Sequence, residues 1–178
     1  MVVGLERPYH KPLAESTYPA TCTSISIRLR PRHRTRRQNE ASVEVRLCVL
    51  SDYATVSQEG KLSVLGIFEQ IKPPALPVTV PIMYLVTMFE ASPVEANSNK
   101  QLRFVLAGAD GGEILAVEQT VTVPQTPLPG KPVLMNHVLA FAGIEFRKSG
   151  DYAFHVLIGG EEKTRAPLFV HQPTGATK

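Results

Sequence analysis

SGDYAFHVLIGGEE, residues 149–162, places a glycine turn in front of a strand and a second glycine turn behind it. Between the two turns, large apolar side chains occupy every second position, which is the period of a strand with one buried face. A Gly-Asp-Tyr that enters such a strand is typical of the tyrosine corner, in which the tyrosine hydroxyl binds a nearby backbone group of a β-sandwich. We therefore expect Gly150, Asp151 and Tyr152 to have a structural role.

The same period of two recurs on both sides of this stretch, and no 12-residue window shows a helical period with caps. Turn residues such as DGGE at 110–113 separate the segments. Strands at about ten-residue spacing with no helices between them predict an all-β fold, an antiparallel two-sheet sandwich of about eight strands that is immunoglobulin-like or similar. The eight segments are residues 43–51, 61–71, 81–91, 101–108, 114–123, 133–141, 151–160 and 163–172.

The first segment predicts one buried face that begins at the start of the domain. In VEVRLCVLS, residues 43–51, the alternate positions from 43 to 49 are all aliphatic. Period 2 therefore places these aliphatic residues together on the core side, with no interruption along the segment. The residues on this predicted face are Val43, Val45, Leu47 and Val49.

The segment 81–91 differs from the others because it is apolar on both faces. A two-sheet sandwich covers only one face of each strand, and large exposed apolar patches are uncommon on monomers. We therefore expect the second face to form a homodimer or to dock on another protein. The residues on that face are Ile82, Tyr84, Val86 and Met88, whereas Met83, Leu85 and Phe89 lie on the other.

Residues 1–40 differ from the rest of the chain in charge and in pattern. They carry eight Lys/Arg and three Asp/Glu, a net charge of +5, whereas residues 41–178 carry eleven and thirteen, a net charge of −2. Because residues 1–40 show neither a strand nor a helix period, we expect a basic disordered extension, or a start of the chain that was assigned too early. Residues 41–172 then form the β-sandwich domain, and residues 173–178 a disordered tail.

Six arginines within residues 28–37 are the candidates for contact with a polyanion such as nucleic acid. A body with a net charge of −2 offers no basic face that would hold nucleic acid by counterion release. We therefore expect nucleic-acid binding to be weak and to involve this segment alone. The candidates are Arg28, Arg30, Arg32, Arg34, Arg36 and Arg37.

The two cysteines, Cys22 and Cys48, form neither a disulfide framework nor a metal motif. This usage predicts a reducing compartment and hence a cytoplasmic protein. No signal peptide is visible, and the longest uncharged apolar stretch, residues 73–89, contains four prolines and is too short to span a bilayer. We expect no contact with a membrane.

No catalytic, phosphate-binding or metal-binding motif occurs in the sequence. The histidines of the strand segments, His137, His155 and His171, stand singly and lack the spacing of zinc ligands, so we expect them at the surface or in an outer layer. These observations predict a protein that is not an enzyme and that needs no cofactor or metal.

Several stretches together resemble an uncharacterised bacterial family of small β-sandwich proteins, a domain of unknown function, over about residues 43–171. They are VEVRLCVLSDYATVSQEGKLSVLGIFEQI, PALPVTVPIMYLV, GADGGEIL, GIEFRKSGDYAFHVLIGGEE and APLFV. Members of the family usually begin close to the first strand, and no catalytic residues are assigned to them, so the resemblance implies none here. The matching positions are Asp52, Tyr53, Ala54, Gly60, Lys61, Leu62, Gly66, Pro81, Gly150, Asp151, Tyr152, Gly160, Glu161 and Glu162.

Three functions remain open at this point. The first is a non-enzymatic protein-interaction or scaffold domain, which the two apolar faces of segment 81–91 favour. The second is a small-ligand-binding sandwich with a pocket at one loop end, formed by the loops at 72–81 and 124–132. The third is a nucleic-acid-associated protein that acts through residues 28–37.

Overall fold

The computed structural model describes residues 42–126 and 128–172. The expectations for residues 1–40, including the six arginines, and for residues 173–178 lie outside these described residues. The described part contains nine strands and a short 3-10 helix at Pro93–Glu95. The strands are β1 (Val43–Val56), β2 (Leu62–Phe68), β3 (Gln70–Ile71), β4 (Val78–Ala91), β5 (Asn99–Gly108), β6 (Glu113–Thr122), β7 (Val133–Phe146), β8 (Gly150–Ile158) and β9 (Glu161–Val170).

The strands form two sheets. The four-stranded sheet has the order β2-β1-β4-β7, and the five-stranded sheet has the order β3-β9-β8-β5-β6. All pairs in the first sheet are antiparallel, and the second is antiparallel except for the two-residue parallel pair of β3 with β9. The prediction of an all-β, antiparallel two-sheet sandwich is confirmed.

The core lies between the sheets and is filled by alternate residues of the long strands. In the five-stranded sheet, Leu106 of β5 pairs with Phe154 of β8, and both are fully buried. The ring of Phe154 meets that of Phe141 from the four-stranded sheet, with centroids 5.0 Å apart. Aromatic side chains of this size bury the most apolar area per residue, so they dominate the stability of the core. The other fully buried phenylalanines are Phe89, Phe104 and Phe146.

The predicted face of the first strand is wrong beyond Val45. A register shift between Val45 and Leu47 interrupts the pairing of β1 with β4. An extra residue in one strand reverses which side chains face the core. Cys48 and Leu50 therefore pack into the core, whereas Leu47 and Val49 turn to the outer side of the sheet.

The segment 61–71, predicted as one strand, is two strands in different sheets. β2 pairs with β1, and after Glu69 the chain crosses to the other sheet, where β3 pairs with the end of β9. The Glu69 carbonyl accepts a hydrogen bond from the Phe169 amide at 2.7 Å, which fixes the crossing point. A period of two continues through such a crossing, so the pattern gives no signal of it.

Candidate protein-interaction surface

β4 places one apolar set in the core and the other on the outer face of the four-stranded sheet. Met83, Leu85 and Phe89 belong to the core between the sheets. The residues predicted for docking, Ile82, Tyr84, Val86 and Met88, alternate with these and lie on the outer face. Their exposure is unequal, because Val86 is fully buried, Tyr84 and Met88 are half-buried, and Ile82 remains 46% exposed.

The burial of Val86 raises the question of what lies over the outer face. β1 pairs with β4 only as far as Ser51, which lies opposite Tyr84. Beyond Ser51, β1 pairs with β2 alone, and residues 52–66 form a two-stranded hairpin with its turn at 57–61. This hairpin leaves the plane of the sheet, and we call it the covering hairpin.

The tip of the covering hairpin contacts the far edge of the same sheet. The Asn136 side-chain amide donates a hydrogen bond to the Gly60 carbonyl oxygen at 2.8 Å. Asn136 belongs to β7, whereas β2 forms the opposite edge. The neighbouring His137 stacks on core residue Phe104, so Asn136 points to the outer side. The hairpin therefore folds back across the outer face, where Val86 and Ser51 are fully buried and Ala54 of the hairpin is buried as well.

The bend of the covering hairpin occurs at Asp52 and Gly66. These residues lie between the cross-strand pairs Ser51–Ile67 and Tyr53–Leu65. Gly66 has a φ of +66°, a conformation that L side chains rarely adopt. A β-carbon at this position would lie 2.2 Å from Asp52 Oδ2 and 2.9 Å from Asp52 Cγ, so the bend needs glycine for space as well as for conformation.

A group of exposed apolar side chains surrounds this bend. Tyr53 (51% exposed), Leu65 (69%) and Ile67 (60%) come from β1 and β2, and Ile82 comes from β4. The Tyr53 ring meets the Tyr84 ring edge to face, with centroids 5.6 Å apart, which joins the two halves. We call these five residues the apolar patch. None of them is charged, and aromatic and branched side chains of this kind are the usual anchors of protein contacts.

An ion pair of the four-stranded sheet lies at the other end of β1 and β4. The Arg46 Nε donates to Glu90 Oε2 at 2.6 Å, and Glu90 is buried. Cys48, on the core side of the same strand, is a free thiol, and burial raises its pKa to about 12. A thiol held protonated in this way is a poor nucleophile and a poor metal ligand. Among the described residues, no three His, Cys, Asp or Glu side chains lie close enough to hold a metal ion.

A groove of about 750 Å³ opens at one end of the sandwich, between the β5–β6 turn and the β7–β8 turn. Residues 108–115 and 142–152 supply its walls, with some residues of each range set back. The ligand-binding alternative placed a pocket at the loops 72–81 and 124–132, and neither loop lines this groove. Two charged side chains of its rim, Arg147 and Glu145, lie 3.4 Å apart, and the rim residue Asp151 lies 3.4 Å from His171, which is outside the groove.

Tyr152 stands at the entrance of this groove. Its hydroxyl donates a hydrogen bond to the Lys148 carbonyl oxygen at 2.8 Å, a backbone group four residues upstream, as the corner interpretation expects. The ring meets Phe146 edge to face with centroids 5.0 Å apart, and it is half-buried rather than fully buried. Gly150 begins β8, and Asp151 points away to His171. Tyr152 thus contacts the β7–β8 turn through its hydroxyl and β7 through its ring.

Of the three strand histidines, His137 departs from the expected outer position. It stacks on Phe104 at a centroid distance of 5.3 Å and an interplanar angle of 11°, with its Nε2 beside the Gln119 amide. Burial lowers the pKa of His137, because the charged imidazolium loses its hydration there. His155 lies 3.1 Å from Glu162, and His171 is exposed.

Sequence reasoning missed Tyr53, Leu65 and Ile67, which are the three most exposed residues of the apolar patch. The period of two in segment 61–71 assigns Leu62, Val64 and Phe68 to one face, and it leaves Leu65 and Ile67 on the other. That second face was a usable signal, because it carries large apolar residues where an outward face is usually polar.

Among the described residues, no helix has the length and apolarity needed to cross a membrane.

Comparison with known proteins yields one family. The model of a family of unknown function, DUF6941, matches residues 46–171. No curated protein matches.

Two solved structures are similar in fold. The chain is 12% identical to the alkylpurine DNA glycosylase AlkC of Pseudomonas fluorescens, solved bound to DNA containing an abasic site analog, with a TM-score of 0.44 over 74% of this chain and 31% of that one. It therefore spans about a third of the glycosylase. It is 16% identical to an immunoglobulin-like protein of Pseudomonas aeruginosa, with a TM-score of 0.36 over 75% of this chain and 99% of that one.

Proposed function

The chain belongs to the family of unknown function DUF6941, and we propose that it is a non-enzymatic protein-interaction domain that associates through the apolar patch of its four-stranded sheet. The observation that carries this proposal is the exposure of Tyr53, Leu65, Ile67 and Ile82 around one bend. Single exposed apolar residues are common on soluble proteins, but a contiguous group of this kind marks a contact site.

The partner that we propose is a second copy of the chain. Two identical patches can meet around a twofold axis, which is the commonest arrangement of soluble oligomers. Because the five residues of the apolar patch are uncharged, their contact with the same five residues brings no like charges together. The tyrosine hydroxyls of Tyr53 and Tyr84 supply polar groups at the edge of an otherwise apolar contact.

The test is the concentration dependence of the molar mass of the full chain in solution. We expect sedimentation equilibrium to show a monomer–dimer equilibrium that Leu65→Ser and Ile67→Ser weaken at least tenfold, as substitution of an interface anchor does. Val94→Ser is the matched control, because Val94 is 62% exposed but lies in the 3-10 helix, away from the apolar patch. A monomer at all concentrations, or an equal effect of Val94→Ser, would refute the proposal.

A reducing bacterial cytoplasm is part of the same proposal. It is supported by the free thiol of Cys48, which is half-buried in the core of the four-stranded sheet. The family resemblance of the sequence supports a bacterial source. Recovery of the protein in the soluble fraction of a bacterial lysate, with Cys48 reactive to thiol reagents only after denaturation, is the expected outcome.

The groove beside Tyr152 supports a second candidate, the binding of a small ligand. Its volume of about 750 Å³ is in the range of drug-sized ligand sites. This candidate predicts that a ligand raises the melting temperature of the wild-type chain and that Tyr152→Ala removes this effect. The nucleic-acid alternative depends on residues 28–37, which lie outside the described residues.

A further inference from the structure

The apolar patch is assembled from two parts of the chain that meet only because the covering hairpin is folded back. Tyr53 and Leu65 lie on the hairpin beyond the bend at Asp52 and Gly66, whereas Ile82 and Tyr84 lie on β4. The contact between the two parts is the edge-to-face packing of Tyr53 on Tyr84. The geometry of the patch therefore depends on the position of the hairpin.

The attachment of the covering hairpin to the sheet is narrow. Beyond Ser51 its two strands pair only with each other, and an isolated two-stranded hairpin is marginally stable in water. Its turn is held internally, since the Ser57 amide donates to the Lys61 carbonyl and the Gly60 amide donates to the Ser57 carbonyl. The hydrogen bond from Asn136 to Gly60 fastens the tip to β7. Because the hairpin backbone is not paired with the rest of the sheet beyond Ser51, it is the kind of element that opens locally.

Asn136 is remote from the patch that it influences. On β7, Ala140 pairs with Tyr84, so Asn136 lies four residues farther along the strand, at roughly 13 Å from that pair at the usual rise of a strand. A substitution at Asn136 therefore alters none of the five side chains that form the apolar patch. It changes only the contact that holds the tip of the hairpin.

We propose that the covering hairpin is a movable flap, that its closed position assembles the apolar patch, and that Asn136 is the positioning residue that holds it closed. In the open position, Tyr53 separates from Tyr84 and the buried Val86 becomes accessible. This inference rests on the proposed self-association for its function, but the opening of the flap is independent of it. Self-association and flap closure then favour each other, because a partner copy binds only the assembled patch.

The test follows the accessibility of Val86 in the full chain. In a Cys22→Ser, Cys48→Ser background, Val86→Cys supplies one thiol under the hairpin, whose labelling rate reports opening. We expect Asn136→Ala to raise this rate about tenfold, the population change that one hydrogen bond produces. Asn99→Ala is the matched control, because Asn99 accepts a side-chain hydrogen bond from Thr122 on the other sheet, and we expect it to leave the rate unchanged.

A second variant and a second measurement separate the outcomes. Asn136→Asp removes the donor while keeping the shape of the side chain, so it replaces Asn136→Ala if the latter fails to fold. Equal labelling of Val86→Cys with and without the Asn136 substitution would refute the flap, whatever the molar mass of the protein. If labelling rises but the wild-type chain is monomeric at all concentrations, the flap stands and the proposed self-association is wrong. If labelling rises and the wild-type chain dimerises, we expect Asn136→Ala to weaken the dimer as well.

Discussion

The two outer faces of this sandwich are covered in different ways. On the five-stranded sheet, charged side chains pair across the surface: Arg103 lies 2.8 Å from Glu113 and 3.3 Å from Glu118, and His155 lies 3.1 Å from Glu162. On the four-stranded sheet, a hairpin of the chain itself folds over an apolar surface, with Val86 fully buried.

The difference shows why apolar residues on both faces of a strand need not indicate a partner. β4 is apolar on both sides because one side fills the core and the other lies where the covering hairpin crosses. The surface that is left for a partner is therefore displaced from the centre of the sheet to the bend at Asp52 and Gly66. The charged outer face is exposed to solvent. The burial of the apolar outer face depends instead on the position of the covering hairpin.

The largest difference between the two outer faces is expected when the same charge is placed at the centre of each. Val86→Asp puts a carboxylate at a fully buried position, and Val105→Asp puts one at a half-buried position between Ala116 and His155. We expect a loss of about 3–4 kcal/mol of unfolding free energy for Val86→Asp and about 1 kcal/mol for Val105→Asp. Urea unfolding of the full chain at low protein concentration measures both values. Similar losses would mean that the two faces are equally open.

The second test addresses the bend. Gly66→Ala adds the strain of a positive φ and a contact with Asp52, and we expect a loss of about 2–3 kcal/mol. Gly60 has a φ of +78°, but a β-carbon at this position would have no atom within 4 Å. Gly60→Ala should therefore lower the unfolding free energy by about 1 kcal/mol. Thermal unfolding of both variants measures these losses. The double variant Gly66→Ala, Asp52→Ala removes the contact with Asp52, so its difference from Gly66→Ala measures the steric part of the loss. Equal effects of the two glycine substitutions would remove the argument that the bend is closely packed.

The third test concerns the joint between the sheets, where Tyr152 of β8 meets Phe146 of β7. Tyr152→Phe keeps the ring and removes only the hydrogen bond to the Lys148 carbonyl. We expect it to lower the unfolding free energy by about 1 kcal/mol in chemical denaturation. Tyr53→Phe is the control, since its ring lies at the surface and the described residues show no hydrogen bond of its hydroxyl. A Tyr152→Phe variant as stable as the wild type would contradict the corner interpretation.

The smallest effect should be a pH dependence that arises from the core side. His137 has its pKa lowered by burial, so the unfolded chain, with a histidine pKa near 6.5, takes up the proton first. Its contribution to stability is therefore complete above pH 6.5 and is lost as the pH falls below that value. We expect His137→Gln to flatten the fall in unfolding free energy between pH 7.5 and 5.5. Urea unfolding at each pH measures the slope, and an unchanged slope in His137→Gln would contradict this assignment.

The strands and the sandwich could be predicted from period 2 and the turn residues, because alternation and glycine placement are local properties of the sequence. Two features could not. The bulge between Val45 and Leu47 depends on how β1 aligns with β4, and the crossing at Glu69 depends on where β9 ends. Both are pairings between distant segments, which a local pattern does not encode.

The candidate surface was predicted in part. Ile82, Tyr84, Val86 and Met88 do lie together on the outer face, because alternation fixes which residues share a side. Their coverage depends on the hydrogen bond between Asn136 and Gly60, which are 76 residues apart in the sequence. The apolar outward face of segment 61–71 was a local signal for Leu65 and Ile67, but their exposure also depends on the position of β2 at the edge of the sheet.

The two-residue strand β3 has a consequence for the order in which the chain is made. Gln70 and Ile71 pair with Phe169 and Val170, roughly a hundred residues later, and the Ile71 carbonyl accepts a hydrogen bond from the His171 amide. The partner of β3, strand β9, therefore leaves the ribosome only when the domain is almost fully synthesised. Until then the edge at β3 stays unpaired on the nascent chain, so the five-stranded sheet closes only after the last strand of the domain has been made.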